Sequence, residues 1–303
     1  MEQKLPYWIA GHTVCLITEK PDAVSRLLPG FGLFTQILAD HSPDLNIDIR
    51  LDIGNLHIVR DPEDSIQIHT FEIDGGVCRF RRKENNYFFT IEEPGGQYII
   101  ECIMQLGSPG FHCYVEQKLV RPHHLKFTIW MCVAFWGIPR HFSPVHSSVI
   151  VYNGSAVLFL GESGTGKSTH TGLWLQHIPD SFLLNDDSPV LSVRDPVPFV
   201  YGSPWSGKGN KYVNEKYPVA AVVRIKQHQV NSIDKLSKIR AFGALYPSFP
   251  PAFLKDEFFE DHLCQMISRI LTTVPVYLLA CLPDKAAAIL VKNTVYEPVK
   301  CNQ

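Results

Sequence analysis

Val157-Leu158-Phe159-Leu160-Gly161-Glu162-Ser163-Gly164-Thr165-Gly166-Lys167-Ser168-Thr169 is the stretch on which the fold of this chain turns. An apolar run, Ala156 to Leu160, leads into a segment that fits the spacing G-x-x-x-x-G-K-[ST] from Gly161 to Ser168. A short apolar run closed by glycine predicts a buried strand. Lys167 to His177 predicts a helix despite Gly172. Between them, glycines allow backbone N–H groups to turn inward around an anion, and the helix N-terminus favours negative charge there. Lys167 would reach the β- and γ-phosphates of a nucleotide, and the Ser168 hydroxyl would ligate Mg²⁺. The expectation is that Gly161, Glu162, Ser163, Gly164, Thr165, Gly166, Lys167, Ser168 and Thr169 bind ATP with Mg²⁺.

Two further pieces lie close by. Asn185-Asp186-Asp187 follows the apolar run Phe182-Leu183-Leu184, one helix beyond the loop. Carboxylates at the end of a buried strand could hold Mg²⁺ or take a proton from an attacking hydroxyl, although an Asp-Asp pair by itself also suits a solvated Asx turn. His146 stands just ahead of a second apolar run, Ser148 to Tyr152. Alone it reads equally as a packed or surface histidine.

Together, Val145-His146-Ser147-Ser148, the strand and loop through Ser168, and Leu184-Asn185-Asp186-Asp187 resemble the catalytic domain of HPr kinase/phosphorylase and its superfamily relative, ATP-dependent phosphoenolpyruvate carboxykinase. In both, a histidine-bearing strand, a phosphate loop and an Asp-Asp pair follow in this order at close to this spacing. In ordinary P-loop ATPases the corresponding aspartate comes later in the chain. The resemblance implies an α/β nucleotide-binding domain, with His146 near the transferred phosphate. It also implies that Asp186 and Asp187 share metal-binding and proton-accepting roles, in an order it does not fix. Tyr201-Gly202-Ser203-Pro204-Trp205-Ser206-Gly207-Lys208 is similar to a segment of HPr-kinase-like proteins. Lys208 could there neutralise γ-phosphate charge, and a surface turn is the alternative. Two departures argue against HPr itself as acceptor. Thr169 stands where HPr kinases carry glutamate, and their Arg-Gly-Leu-Gly signature is absent after Asp187.

Outward from this centre the chain divides by composition. Residues 1–120 are expected to form a β-rich N-terminal domain and 121–303 a kinase-like catalytic domain. Period-two runs such as Ile47 to Leu51, Ser65 to His69 and Tyr87 to Ile91 predict strands. The turn residues Asp61-Pro62, Asp74-Gly75-Gly76 and Pro94-Gly95-Gly96 between them suggest an antiparallel meander. His123 to Gly137 predicts a helix leading into the second domain. Later, Val219 to Lys226 and Val276 to Ala280 predict strands, and Phe258 to Leu271 and Pro283 to Lys292 helices. Strands alternating with helices indicate an α/β layer.

Composition bounds the remaining possibilities. A net charge of −2 gives no electrostatic reason to expect nucleic acid or an anionic membrane as partner. The longest apolar run, near Phe127 to Ile138, is too short to span a bilayer. Eight cysteines without a CxxC pair, and an N-terminus without an export-signal pattern, suggest reduced thiols in the cytoplasm. No G-x-S-x-G is present for a serine hydrolase, since Glu162-Ser163-Gly164 belongs to the phosphate loop. The expected activity is transfer of the γ-phosphate of Mg·ATP to a hydroxyl of a protein, peptide or small molecule; the related kinases form oligomers, and the resemblance leaves a homo-oligomer open. The alternatives are an ATP-binding regulatory module without phosphotransfer and a carboxykinase-like enzyme. The carboxykinases are longer, and their substrate-binding arginine and metal-binding lysine have no visible counterpart.

Overall fold

The computed structural model describes residues 1–37, 42–51, 64–207 and 213–297. Among these, the chain forms two sheets and six α-helices, a mixed α/β architecture. Contacts divide it into one compact unit of residues 1–140 with 252–260, and a second of 141–251 with 261–303. The first unit therefore reaches past the composition change at residue 120 to Arg140.

In the first unit, β1 (Gln3–Ile9) and β2 (His12–Thr18) precede α1 (Pro21–Leu27) and β3 (Leu45–Leu51). Then come β4 (Ile66–Ile73), β5 (Gly76–Lys83), β6 (Asn86–Glu92), β7 (Tyr98–Gln105) and β8 (Gly110–Val115), followed by α2 (Pro122–Gly137). The expected meander is present from β4 to β8, in antiparallel pairs. The sheet as a whole is mixed, however, because β3 runs parallel to both β2 and β8. Sequence periodicity sets which residues face inward and carries no information on which strand lies alongside. The Asp61-Pro62 turn lies outside the described residues. Helix α2 is buried over most of its circumference, from Leu125 and Ile129 to Phe135 and Trp136, which is why its sequence reads as a continuous apolar run.

The second unit opens with β9 (Phe142–Pro144), β10 (Ser147–Tyr152) and β11 (Ser155–Leu160), then α3 (Lys167–His177) and β12 (Phe182–Asp187). It continues with β13 (Val190–Ser192), β14 (Phe199–Tyr201), β15 (Lys216–Gln227), β16 (Ser232–Lys235) and α4 (Lys238–Leu245). Helix α5 (Glu257–Thr273) has its first turn in the first unit and the rest in the second, before β17 (Val276–Cys281) and α6 (Lys285–Tyr296). Strands β11, β15 and β17 are parallel, with β10 antiparallel to β11 and β12 antiparallel to β10. Every residue of β11 from Ala156 to Leu160 is buried, so both faces of this strand are covered and its sequence shows no alternation. Phe159 packs with Trp174 of α3, Val223 of β15 and Val291 of α6 in one apolar cluster.

Beside that cluster, His170 is 3% exposed, accepts a hydrogen bond from Trp174 Nε1 at 3.3 Å and packs on the Phe159 ring. Burial lowers its pKa from 6.5 to about 4. The unfolded chain therefore takes up this proton first. Stability is complete above the unfolded value of 6.5 and falls as pH drops toward about 4, by roughly 3 kcal/mol from this group. Denaturant titrations at about pH 7 and pH 4.5 should show the loss, and His170→Gln should flatten the slope relative to the parent chain.

Candidate active site

The loop between β11 and α3 folds back on itself. Thr165 donates its N–H to Glu162 O at 3.2 Å and its hydroxyl to the same oxygen at 2.8 Å. A Cβ on Gly161 would lie 2.3 Å from Thr165 Oγ1, so glycine is required there by close approach. Gly166, at φ 103°, turns the chain into α3, where no side chain caps the first turn. The first amides of α3 are thus left to an outside acceptor, which suits an anion.

Lys167 enters the helix with its side chain folded under the loop, only 8% exposed. Its Nζ reaches Gly161 O at 2.8 Å, Glu162 O at 3.2 Å and His146 Nε2 at 2.9 Å. These three acceptors match the three protons of an ammonium. His146 Nε2 stands within hydrogen-bond distance of the ammonium, and the ring's other nitrogen, Nδ1, lies 3.3 Å from Asp187 Oδ1. Burial lowers the Lys167 pKa, Asp187 and Asp186 oppose that, and Arg224 adds to it.

Strand register brings the carboxylates to the loop. β10 and β12 pair with Ser147 opposite Asp187 and Ser148 opposite Asp186. Asp186 Oδ1 accepts a hydrogen bond from Ser148 Oγ and a second, at 3.0 Å, from Ser168 Oγ. Asp187 sits at φ 144°, a conformation unusual for a residue with a side chain. Its neighbours hold it there: Asp187 bridges to Ser206, and Gly207 donates its N–H to Asp186 O. Asn185, fully buried, clamps the same segment with its Nδ2 against Ser203 O, Ser203 Oγ and Trp205 O at 3.1, 3.2 and 3.2 Å.

The arrangement suits a hard divalent cation. Two oxygens in adjacent positions of an octahedron with bonds of about 2.1 Å lie roughly 3.0 Å apart. Ser168 Oγ and Asp186 Oδ1, joined by a hydrogen bond of 3.0 Å, are the hydroxyl and carboxylate oxygens that would hold the cation. Beside them a cavity of about 460 Å³ is bordered by His146, Ser148, Lys167, Asp186, Asp187 and Gly207. A second cavity, about 840 Å³, lies on the other flank of the loop against Leu173, Ile225, Gln227 and Pro283. Gly164, Gly166 and Thr169 border both.

Most residues expected from sequence are thus brought together. Ser163 lines the smaller cavity, and Thr165 turns into the loop itself. The Glu162 side chain is 85% exposed and faces Arg224 Nη2 at 3.7 Å instead of the cavity. Lys208 lies outside the described residues. Sequence inspection passed over the roles of Ser148 and Arg224. Arg224, whose Nη1 donates to Ala244 O at 3.0 Å, is a charge set within the apolar strand Val222-Val223-Arg224-Ile225, and that incongruity was the available signal.

No family model matches the chain, and no curated protein does. Among solved structures, it is similar to an HPr(Ser) kinase/phosphatase from Coxiella burnetii, a faint likeness confined to fold, at 13% identity with a TM-score of 0.30. The match covers 50% of this chain and 95% of that one.

Proposed function

We propose that this chain is an ATP-dependent phosphotransferase with a P-loop domain of HPr-kinase type, moving the γ-phosphate of Mg·ATP to a hydroxyl of a protein, peptide or small molecule. The observation that carries the proposal is the convergence on one cavity of a buried lysine ammonium, a serine–aspartate oxygen pair 3.0 Å apart and a second aspartate backed by histidine. A sensor of nucleotide alone has no use for that second carboxylate. Its presence favours transfer over the regulatory-module alternative.

The two aspartates divide the work by their partners. Asp186, held by Ser148 and Ser168, would hold Mg²⁺ together with Ser168 Oγ. When bound, the cation offsets charge on the phosphate oxygens. Asp187 is half-exposed at the cavity and has one oxygen toward His146, so it is the carboxylate placed to take the acceptor's hydroxyl proton. His146, with Nδ1 3.3 Å from Asp187 Oδ1, would help to orient that carboxylate. Lys167 can exchange its carbonyl and imidazole partners for phosphate oxygens, and it then stabilises charge that grows on them in the transition state. The α3 amides bind the same group. Leu173 and Ile225 in the larger cavity offer apolar faces to a nucleoside, and Gln227 a polar edge. In this reading the base would lie on one side of the loop and the acceptor on the other.

Lys167→Ala is expected to lower transfer by about a thousandfold or more and to weaken ATP binding. Transfer would be followed with labelled ATP over a panel of hydroxyl acceptors, and binding by calorimetry. Asp187→Asn should keep ATP affinity within about twofold and cut turnover by roughly 10²–10⁴. Full phosphotransfer by either variant would remove the proposed roles.

A further inference from the structure

Three thiols of the first unit are buried against one another. Cys102 on β7 lies directly opposite Cys113 on β8 in an antiparallel pair. Glu116 donates its N–H to Ile99 O at 2.9 Å, which sets the phase of this ladder. Hydrogen bonds then flank the pairs Ile100–Val115 and Cys102–Cys113, so the two cysteines are a non-hydrogen-bonded pair. Pairs of that kind bring Cα atoms to about 4.5 Å, inside the span a disulfide can bridge. The two sulfurs are 2.8 Å apart, and Cys132 of α2 adds a third sulfur 3.5 Å from that of Cys102. All three residues are at most 1% exposed.

We infer that Cys102, Cys113 and Cys132 form an oxidation site at which hydrogen peroxide closes a Cys102–Cys113 disulfide. Cys132, whose sulfur lies 3.5 Å from that of Cys102, is assigned as the first to react: burial raises its thiol, but the neighbouring sulfurs favour its thiolate. Its sulfur attacks one peroxide oxygen, the O–O bond breaks and hydroxide leaves, giving a sulfenic acid. The Cys102 sulfur then attacks the sulfenic sulfur; an S–S bond forms, the S–O bond breaks and water departs. Cys113, next to Cys102, attacks the Cys102 sulfur in turn and releases Cys132 as thiolate. In sum, two thiols and one hydrogen peroxide give one disulfide and two waters, with two electrons passing from sulfur to peroxide. Hydrogen peroxide is little larger than water and reaches buried sulfur through local opening of the unit.

A metal ion held by the three sulfurs is the rival occupant. Among the described residues no further His, Cys, Asp or Glu joins the group. Three thiolates around a mono- or divalent cation keep a net negative charge, which apolar surroundings penalise. A disulfide is neutral and carries no such cost.

The test uses the full-length chain, reduced and then exposed to a few equivalents of hydrogen peroxide. The protein is unfolded in alkylating agent and digested without reductant for mass spectrometry. The expected product is a linked pair of peptides carrying Cys102 and Cys113, lighter by two hydrogen atoms, with Cys132 alkylated. Cys132→Ala should slow the cross-link by about tenfold. The parent chain's thermal midpoint should rise on oxidation, and that of Cys113→Ala should not. Complete alkylation of all three cysteines after oxidation of the partly exposed Cys264, or their overoxidation without a cross-link, would overturn the inference. So would a stoichiometric metal, found by elemental analysis of the untreated protein, that shields the thiols from peroxide. None of these outcomes bears on phosphotransfer.

Discussion

A lysine ammonium with only 8% of its residue exposed has to be compensated on every side, and this requirement organises the candidate site. Lys167 has three protons to place, and the structure supplies two loop carbonyls and one imidazole nitrogen. The imidazole in turn has its other nitrogen, Nδ1, 3.3 Å from Asp187 Oδ1. A single buried charge thus gathers two loop carbonyls and a histidine that in turn neighbours a carboxylate. Neutral loop carbonyls are partners that the ammonium can give up to a phosphate, because phosphate oxygens form stronger, charge-assisted hydrogen bonds.

The acidic side is held by different means. Asp186 and Asp187 are adjacent in sequence, yet alternation along β12 directs their side chains to different partners. Asp186 meets two serine hydroxyls, one from β10 and one from α3, while Asp187 faces the histidine and the charge of Lys167. The φ of 144° at Asp187 breaks the regular strand geometry, and the Asn185 clamp with the Ser206–Gly207 contacts keeps that conformation in place. Strain of this kind persists only where surrounding hydrogen bonds over-determine the backbone. A metal ligand and a proton acceptor can therefore be built from neighbouring residues.

Much of the second unit was legible along the chain. The strand–loop–helix segment appears as read but for a strand that starts one residue earlier, at Ser155, because glycine spacing and apolar runs act on the backbone locally. The elements at 216–227 and 257–273 also appear, each longer than expected by one to three residues at both ends, and 276–281 starts where expected and runs one residue further. The last helix starts two residues later and runs four residues further. β12 extends to Asp187, so the aspartates belong to the strand and do not follow it. In the first unit the alternating runs marked the strands, but the parallel insertion of β3 between β2 and β8 was not visible.

By itself, then, the sequence determined that glycine-rich backbone would turn between a buried strand and a helix and present Lys167 and Ser168 at the helix start. Such geometry is encoded within a dozen residues. Tertiary structure alone decided which aspartate meets the serines, that Glu162 turns outward to Arg224, and that Ser148 joins Asp186. These pairings depend on strand register and on segments far apart in the chain. A period of two or 3.6 residues specifies which face is buried, but it leaves open which partner lies across from it.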